Sequence, residues 1–131
     1  MKIAVITDDM KTISAHFGRA QYYLVFTVEN GKISAQESRP KANHNHFANQ
    51  EQGHAQTEPH GTDAQSEVKH TSMIEPILDC EVLLAGGMGQ GAYNSLVLRS
   101  IQPYITDIQD VQAAVSAYLV GNLIDHTERL H

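Results

Sequence analysis

The chain has one cysteine, Cys80, among 131 residues, so no intramolecular disulfide can form. That suits a reducing compartment. Cations are also scarce: nine Lys and Arg stand against fifteen Asp and Glu, for a formal charge of −6. Nucleic-acid binding depends on neutralising phosphates, and a net acidic chain with scattered Lys and Arg is poorly suited to it. No apolar run nears the ~18 residues that span a bilayer. The opening Met1-Lys2-Ile3-Ala4-Val5-Ile6 lacks a leader's apolar stretch and reads directly into structure. The expectation is a cytoplasmic protein with neither a nucleic-acid nor a membrane partner. Its length fits one domain, which buries roughly 68% of its unfolded surface and needs no staples.

Hydrophobic patterning is present on both sides of a polar interruption. Lys2–Thr7 is nearly continuous apolar sequence, the pattern of a strand buried on both faces. Asp8–Ala20 is polar and reads as a loop. Tyr22–Val28 is aromatic and β-branched. Asn30-Gly31 then predicts a type I′ turn, pairing it with Lys32–Ser38 as a hairpin. From Pro40 to His70 there is no Leu or Ile and one aromatic residue, Phe47. Such a stretch buries too little apolar surface to offset ordering, and a disordered, His-rich insert is expected there. Beyond it, Ser72-Met73-Ile74-Glu75 matches a capping box, with Ile74, Ile77 and Leu78 on a helical face and Pro76 near the first turn. Glu81–Ala85 is a second buried strand and Gly86–Gly89 a tight turn. Gln90–Ser100 reads as a helix with Tyr93, Leu96 and Val97 inward. Pro103–Thr106 is a short strand. Asp107 or Asp110 caps a last helix carrying Val111, Ala114, Val115, Tyr118 and Leu119 on one face. Gly121 ends that helix, and the tail after Asn122 is expected to fray or dock loosely.

The element order β-β-β-α-β-α-β-α, with right-handed crossovers, predicts an α/β fold. Its five-stranded mixed sheet has order 3-2-1-4-5, with only strand 2 reversed. In open α/β sheets ligands bind beyond the carboxyl ends of strands. Three segments converge on that edge: Ser14-Ala15-His16-Phe17-Gly18-Arg19-Ala20, the Gly86–Gly89 turn, and the start of the His-rich insert.

Three readings of the glycine turn stay open. The glycines allow close helix–strand packing, or they expose N–H groups to an anion at a helix N-terminus. Alternatively, Gly87-x-Gly89-x-x-Ala92, with Asp107 beyond, forms a nucleotide- or dinucleotide-binding fingerprint. Five of the eight histidines, His44, His46, His54, His60 and His70, lie in the insert. His44 and His46 fall on one side of an extended chain. The cluster suggests metal affinity, with a Zn, Ni or Cu sensor or buffer as one reading and an inert solvated linker as the other. The spacing is too loose for a preformed zinc site. His16 stands in the loop after the central strand, as a ligand or as a packing residue. Cys80 reads as a buried structural thiol. No nucleophile with its base can be inferred. The body of strand one has no carboxylate; Asp8 and Asp9 lie at its exit and Glu81 at the far end of strand four, so two-metal catalysis is not expected.

Three blocks together carry a family resemblance. They are Met1–Thr7, the loop Ile13–Ala20 with its His-Phe-Gly, and Cys80–Ala92 with its Gly-Gly-Met-Gly. The ending Val111–Leu123 adds to it. The chain resembles the dinitrogenase iron–molybdenum cofactor biosynthesis family, the NifX-like group that also includes the C-terminal part of NifB and small stand-alone proteins. The resemblance spans nearly everything except the His-rich insert, a place where many members vary. It implies a ribonuclease H-like three-layer α/β/α fold without nuclease activity. It also implies a non-enzymatic carrier of an iron–sulfur or molybdenum-containing cluster or precursor, exchanging cargo with donor or acceptor proteins. The cluster-contacting candidates are then Ser14, His16, Phe17, Gly18, Gly86, Gly87, Met88 and Gly89. The metal-ligand candidates are His16, His44, His46, His54, His60 and His70. The insert has no cysteine, so capture by its own thiolates is excluded. Its place in this reading is as a lid or metal-gathering arm.

Overall fold

The computed structural model describes residues 1–41 and 72–130. Five strands form one sheet in the order β3-β2-β1-β4-β5. β1 (Lys2–Thr7) lies at the centre. It pairs antiparallel with β2 (Tyr22–Glu29), setting Val5 against Leu24. It pairs parallel with β4 (Val82–Ala85), setting Val5 against Leu84. Ile3, Ala4, Val5 and Ile6 are all fully buried. Because side chains alternate between faces, both faces of β1 are covered, which is why its sequence shows no polar alternation. β5 (Gln102–Ile105) adds in parallel beyond β4. Helix α1 (Gln90–Leu98) links those two strands, and α2 (Val111–Leu119) follows β5. The buried apolar side chains join in one core cluster.

The hairpin forms as its turn residues dictate. Asn30 has φ 56° and Gly31 φ 77°, the two positive angles of a type I′ turn. β3 runs Lys32–Pro40, two residues beyond the expected end. Pro40 is tolerated because β3 is an edge strand, where a missing N–H breaks no ladder. The insert's first residue is therefore sheet, and Lys41 after it is buried.

Other expectations need correction. Residues 72–74 are already α-helical and Glu75–Ile77 is a 3-10 turn, so Ser72 is not an N-cap. Leu78 and Val97 are exposed, because the short 3-10 turn and the brief α1 present Ile77 and Leu96 to the core instead. Tyr93 is only partly buried. It turns its hydroxyl to Asp125, donating at 2.8 Å. That contact belongs to the tail, which is neither frayed nor loosely docked. Asp125 also accepts from the Ile105 N–H, and the His126 N–H donates to the Ile105 carbonyl. Buried-edge backbone groups need partners, and the tail supplies both for Ile105.

Arg39 ties the end of β3 to the crossover into β4. Its guanidinium donates to the Pro76 carbonyl at 2.7 Å and to both Asp79 oxygens at 2.8 and 3.1 Å. Asp110 caps α2, its carboxylate accepting from the Ala113 N–H at 2.8 Å. Replacing Asp110 by Ala leaves that N–H without its cap, and a loss of about 1 kcal/mol is expected. Urea unfolding measures it; an unchanged midpoint contradicts the cap's contribution.

Candidate functional site

The loops leaving β1 and β4 are laced together by backbone hydrogen bonds. Ser14 N–H donates to Ile6 O, Gly86 N–H to Ser14 O at 2.9 Å, and Phe17 N–H to Gly87 O at 3.1 Å. The contact is too close for side chains. A Cβ at Gly86 would sit 2.9 Å from Ser14 O, and one at Gly87 only 2.6 Å from Ala15 O. The two glycines therefore serve packing, though against the neighbouring loop rather than against a helix. The Ser14 hydroxyl lies within hydrogen-bond distance of both the N–H and the carbonyl of His16, which shapes the next turn. The N–H groups of Arg19 and Ala20 close back onto His16 O.

This lacing leaves a cleft of about 330 Å³ beside it, lined by His16, Phe17, Gly18, Arg19, Met73 and residues 88–92. The expected candidates His16, Phe17, Gly18, Met88 and Gly89 thus share one cleft. Ser14, Gly86 and Gly87 do not line it; they form the lacing behind. His44, His46, His54, His60 and His70 lie outside the described residues. His16 is exposed, while Phe17 and Met88 are buried. Gly89 is the N-cap of α1. The first-turn N–H groups of a helix have no intrahelical acceptor, and they give this wall positive character. Among the described residues the cleft is lined by Arg19 and by no Asp or Glu, in a chain whose carboxylates outnumber its Lys and Arg.

The carboxylates near the sheet are engaged elsewhere. Asp8 accepts from the Gln21 N–H. Asp9 accepts from the Lys11 and Thr12 N–H groups, which hold its pKa down at about 2. Glu81 accepts from the Lys2 N–H. Asp107 pairs with Arg129 and His126, so the acid of the dinucleotide fingerprint is already engaged. Cys80 is buried at the start of β4, and burial first, then Asp79, pushes its thiol up to about 12. Among the described residues, no three His, Cys, Asp or Glu side chains gather as a metal site.

Sequence reasoning missed Lys41 and Met73. Lys41 sits with its ammonium 4.7 Å from the centre of the Phe17 ring and 3.3 Å from Ala20 O. Burial brings its pKa down to about 8, against a smaller opposing pull from Asp8. Met73 accepts the Tyr23 hydroxyl at its carbonyl, 2.6 Å away, and lines the cleft. Neither residue carried a signal, because each is placed by partners distant in sequence.

The family model described as dinitrogenase iron-molybdenum cofactor matches residues 1–121. The chain belongs to this family. Solved structures similar to it include a candidate NifB protein from Thermotoga, 21% identical with TM-score 0.63, covering 96% of this chain and 93% of that one. The apo orange protein of Desulfovibrio gigas is 19% identical with TM-score 0.62, covering 93% and 89%. A candidate dinitrogenase from Methanocaldococcus jannaschii is 18% identical with TM-score 0.57, covering 94% and 91%. These likenesses establish the shared α/β fold. A search of curated proteins finds no match. As the order of elements predicted, the sheet runs 3-2-1-4-5 with β2 reversed. No helix among the described residues is long and apolar enough to cross a membrane.

Two outcomes are expected from the geometry. Gly87→Ala drives a methyl into a backbone carbonyl, so it destabilises by roughly 1–3 kcal/mol; a thermal midpoint equal to wild type contradicts the lacing. Lys41 is depressed on folding, so between about 8 and its unfolded value of about 10.4 the unfolded chain binds more protons. The Lys41 contribution to stability therefore rises with pH across that window, by on the order of 3 kcal/mol at most, while the buried Cys80 thiol contributes in the opposite sense. Chemical unfolding of wild type and Lys41→Met at pH 7.5 and 10 isolates the lysine: wild type is expected to gain stability relative to the variant between the two pH values.

Proposed function

We propose that this family member is a non-enzymatic carrier. It holds an anionic iron–sulfur or molybdenum-containing cluster, or a precursor, in the cleft between the His16–Arg19 loop and the start of α1. One observation carries this reading. The motif residues from both loops line a cleft that has Arg19, an exposed imidazole and a helix N-terminus and, among the described residues, no carboxylate. The donor set fits a cargo that brings its own bridging ligands. Among the described residues it offers one imidazole, one guanidinium and backbone N–H groups, with Met73 and Met88 buried in its wall. A bare divalent cation asks instead for several imidazole, thiolate or carboxylate ligands, and among the described residues the cleft lining has a single imidazole. His16 is the candidate metal ligand, and Phe17, Gly18, Met88 and Gly89 form the walls. The engagement of Asp8, Asp9 and Glu81 in backbone contacts also favours carriage over acid–base chemistry. Donor and acceptor proteins for such cargo are the implied partners, and the cytoplasm the implied location.

Anaerobic reconstitution with iron and sulfide is expected to give a complex absorbing in the visible. His16→Ala is expected to weaken it at least about tenfold, the loss of one ligand or charged contact. Equal binding by His16→Ala removes His16 from the site. Deleting residues 42–70 separates the cleft from the insert: cargo binding by the deleted chain supports the cleft, and complete loss moves the function to the insert's histidines.

A further inference from the structure

The first N–H groups of a helix need acceptors from outside it, and the residue at its start commonly supplies one. α2 follows this rule, since the Asp110 carboxylate accepts from the Ala113 N–H. α1 does not. Its N-cap is Gly89, which has no side chain to offer, and its first turn holds no acidic residue. Ala92 occupies in α1 the position that Ala113 occupies in α2. It is 5% exposed and lines the cleft, and nothing among the described residues accepts its N–H. Native proteins pair nearly all buried N–H groups, so an acceptor from within the cleft completes the start of α1. Arg19 borders the same space with an uncommitted guanidinium. Its backbone is fixed by its N–H to His16 O at 3.1 Å, but its side chain is exposed and meets no acceptor among the described residues. The other arginines are all engaged: Arg39 with Pro76 and Asp79, Arg99 with Ser95 O, and Arg129 with Asp107.

We propose that Arg19 is the specificity-determining residue of the cleft, and that it selects cargo showing an edge of two terminal oxo or sulfido atoms on one centre, while a neighbouring atom of the cargo accepts from the Ala92 N–H. This rests on the carrier reading and deepens it by naming the face the cargo presents. A guanidinium is a planar fork of paired donors that matches two anionic atoms on one centre, whereas an ammonium is a point charge. A spherical anion has no such edge. A cluster with every terminal position taken by protein thiolates has none either, which agrees with a cleft lined, among the described residues, by no cysteine. The cargo atom at Ala92 does for α1 what Asp110 does for α2. A carboxylate placed in the chain at the start of α1 therefore competes for the same position.

Molybdate presents such edges and bromide does not. Calorimetric titration of the full chain with molybdate, at fixed ionic strength, is expected to show Arg19→Gln binding about 10-fold more weakly than wild type, the loss of one charged hydrogen-bonding group. Arg19→Lys keeps the charge without the fork and is expected to bind about 3-fold more weakly. Arg19 is exposed, so both variants are expected to fold. Gly89→Asp builds a cap into the chain, and its thermal midpoint without molybdate is expected to rise while its molybdate affinity falls about 10-fold. In NMR spectra the Ala92 amide is expected to shift with molybdate, and the Ala113 amide, already capped, to stay in place. Anaerobic iron–sulfide reconstitution of the same variants tests a cluster as the source of the edge. Weakening by Arg19→Gln with molybdate assigns the edge to a free oxyanion, and weakening in the iron–sulfide complex assigns it to a cluster. Wild-type affinity in Arg19→Lys, or bromide competing as well as molybdate, overturns selection by the fork. Arg19→Gln without effect on either cargo overturns the proposal and leaves the carrier reading standing, which falls only if wild-type protein takes up no iron–sulfide cargo.

Discussion

The close approach of two backbones, at Ser14–Phe17 and Gly86–Gly87, is the constraint on which the site depends. A parallel pair such as β1 and β4 leaves both strands at the same edge, so their exit loops must share that space. Here they share it by hydrogen bonding to each other. The bonds hold only because neither Gly86 nor Gly87 has a Cβ to collide with Ser14 O or Ala15 O. Once the lacing is set, Phe17 and His16 are carried to one side of it and Met88 and Gly89 open α1 on the same side. The cleft is the space left between them.

Much of this was legible in the residues because it follows local rules. The apolar run of β1, the Asn30-Gly31 turn, the Asp110 cap and the shared edge of the exit loops each need only a short stretch of sequence and known strand directions. What escaped notice depends on contacts across the chain. Lys41 follows a proline and opens a stretch without Leu or Ile, so its local pattern is that of a solvated linker. Its ammonium meets the Phe17 ring and the Ala20 carbonyl, more than twenty residues earlier. Ser72 was read as a cap from a four-residue pattern, but a capping pattern inside a helix looks the same as one at its start. The tail was undervalued because a single carboxylate, Asp125, fastens it, and no periodicity announces such a contact. Ser14, Gly86 and Gly87 were grouped with the cleft residues because one motif contains both sets. Sequence spacing does not separate a residue that shapes a wall from one that forms it.

Charge is distributed with a bias that the totals conceal. An acidic chain would ordinarily repel an anionic cargo. At the exit of β1, however, the carboxylates are withdrawn into backbone contacts: Asp8 to Gln21, Asp9 to Lys11 and Thr12. Among the described residues that line the cleft, Arg19 and the first turn of α1 contribute positive charge. The field near a concave, low-dielectric surface depends on such local arrangements more than on net charge.

The tail's hold on Ile105 has a consequence for how copies of this protein meet. A sheet's outer strands are templates for intermolecular pairing, and folds that stay dispersed blunt them. β5 is four residues long, and both backbone groups of its last residue are already occupied by the chain's own tail. On the opposite side, β3 ends in Arg39 and Pro40, a cation and a residue with no N–H to offer. The two margins of the sheet are thus guarded by unlike means, one by self-pairing and one by composition, so that any strand from another molecule must first displace a piece of this one or accept an interrupted ladder.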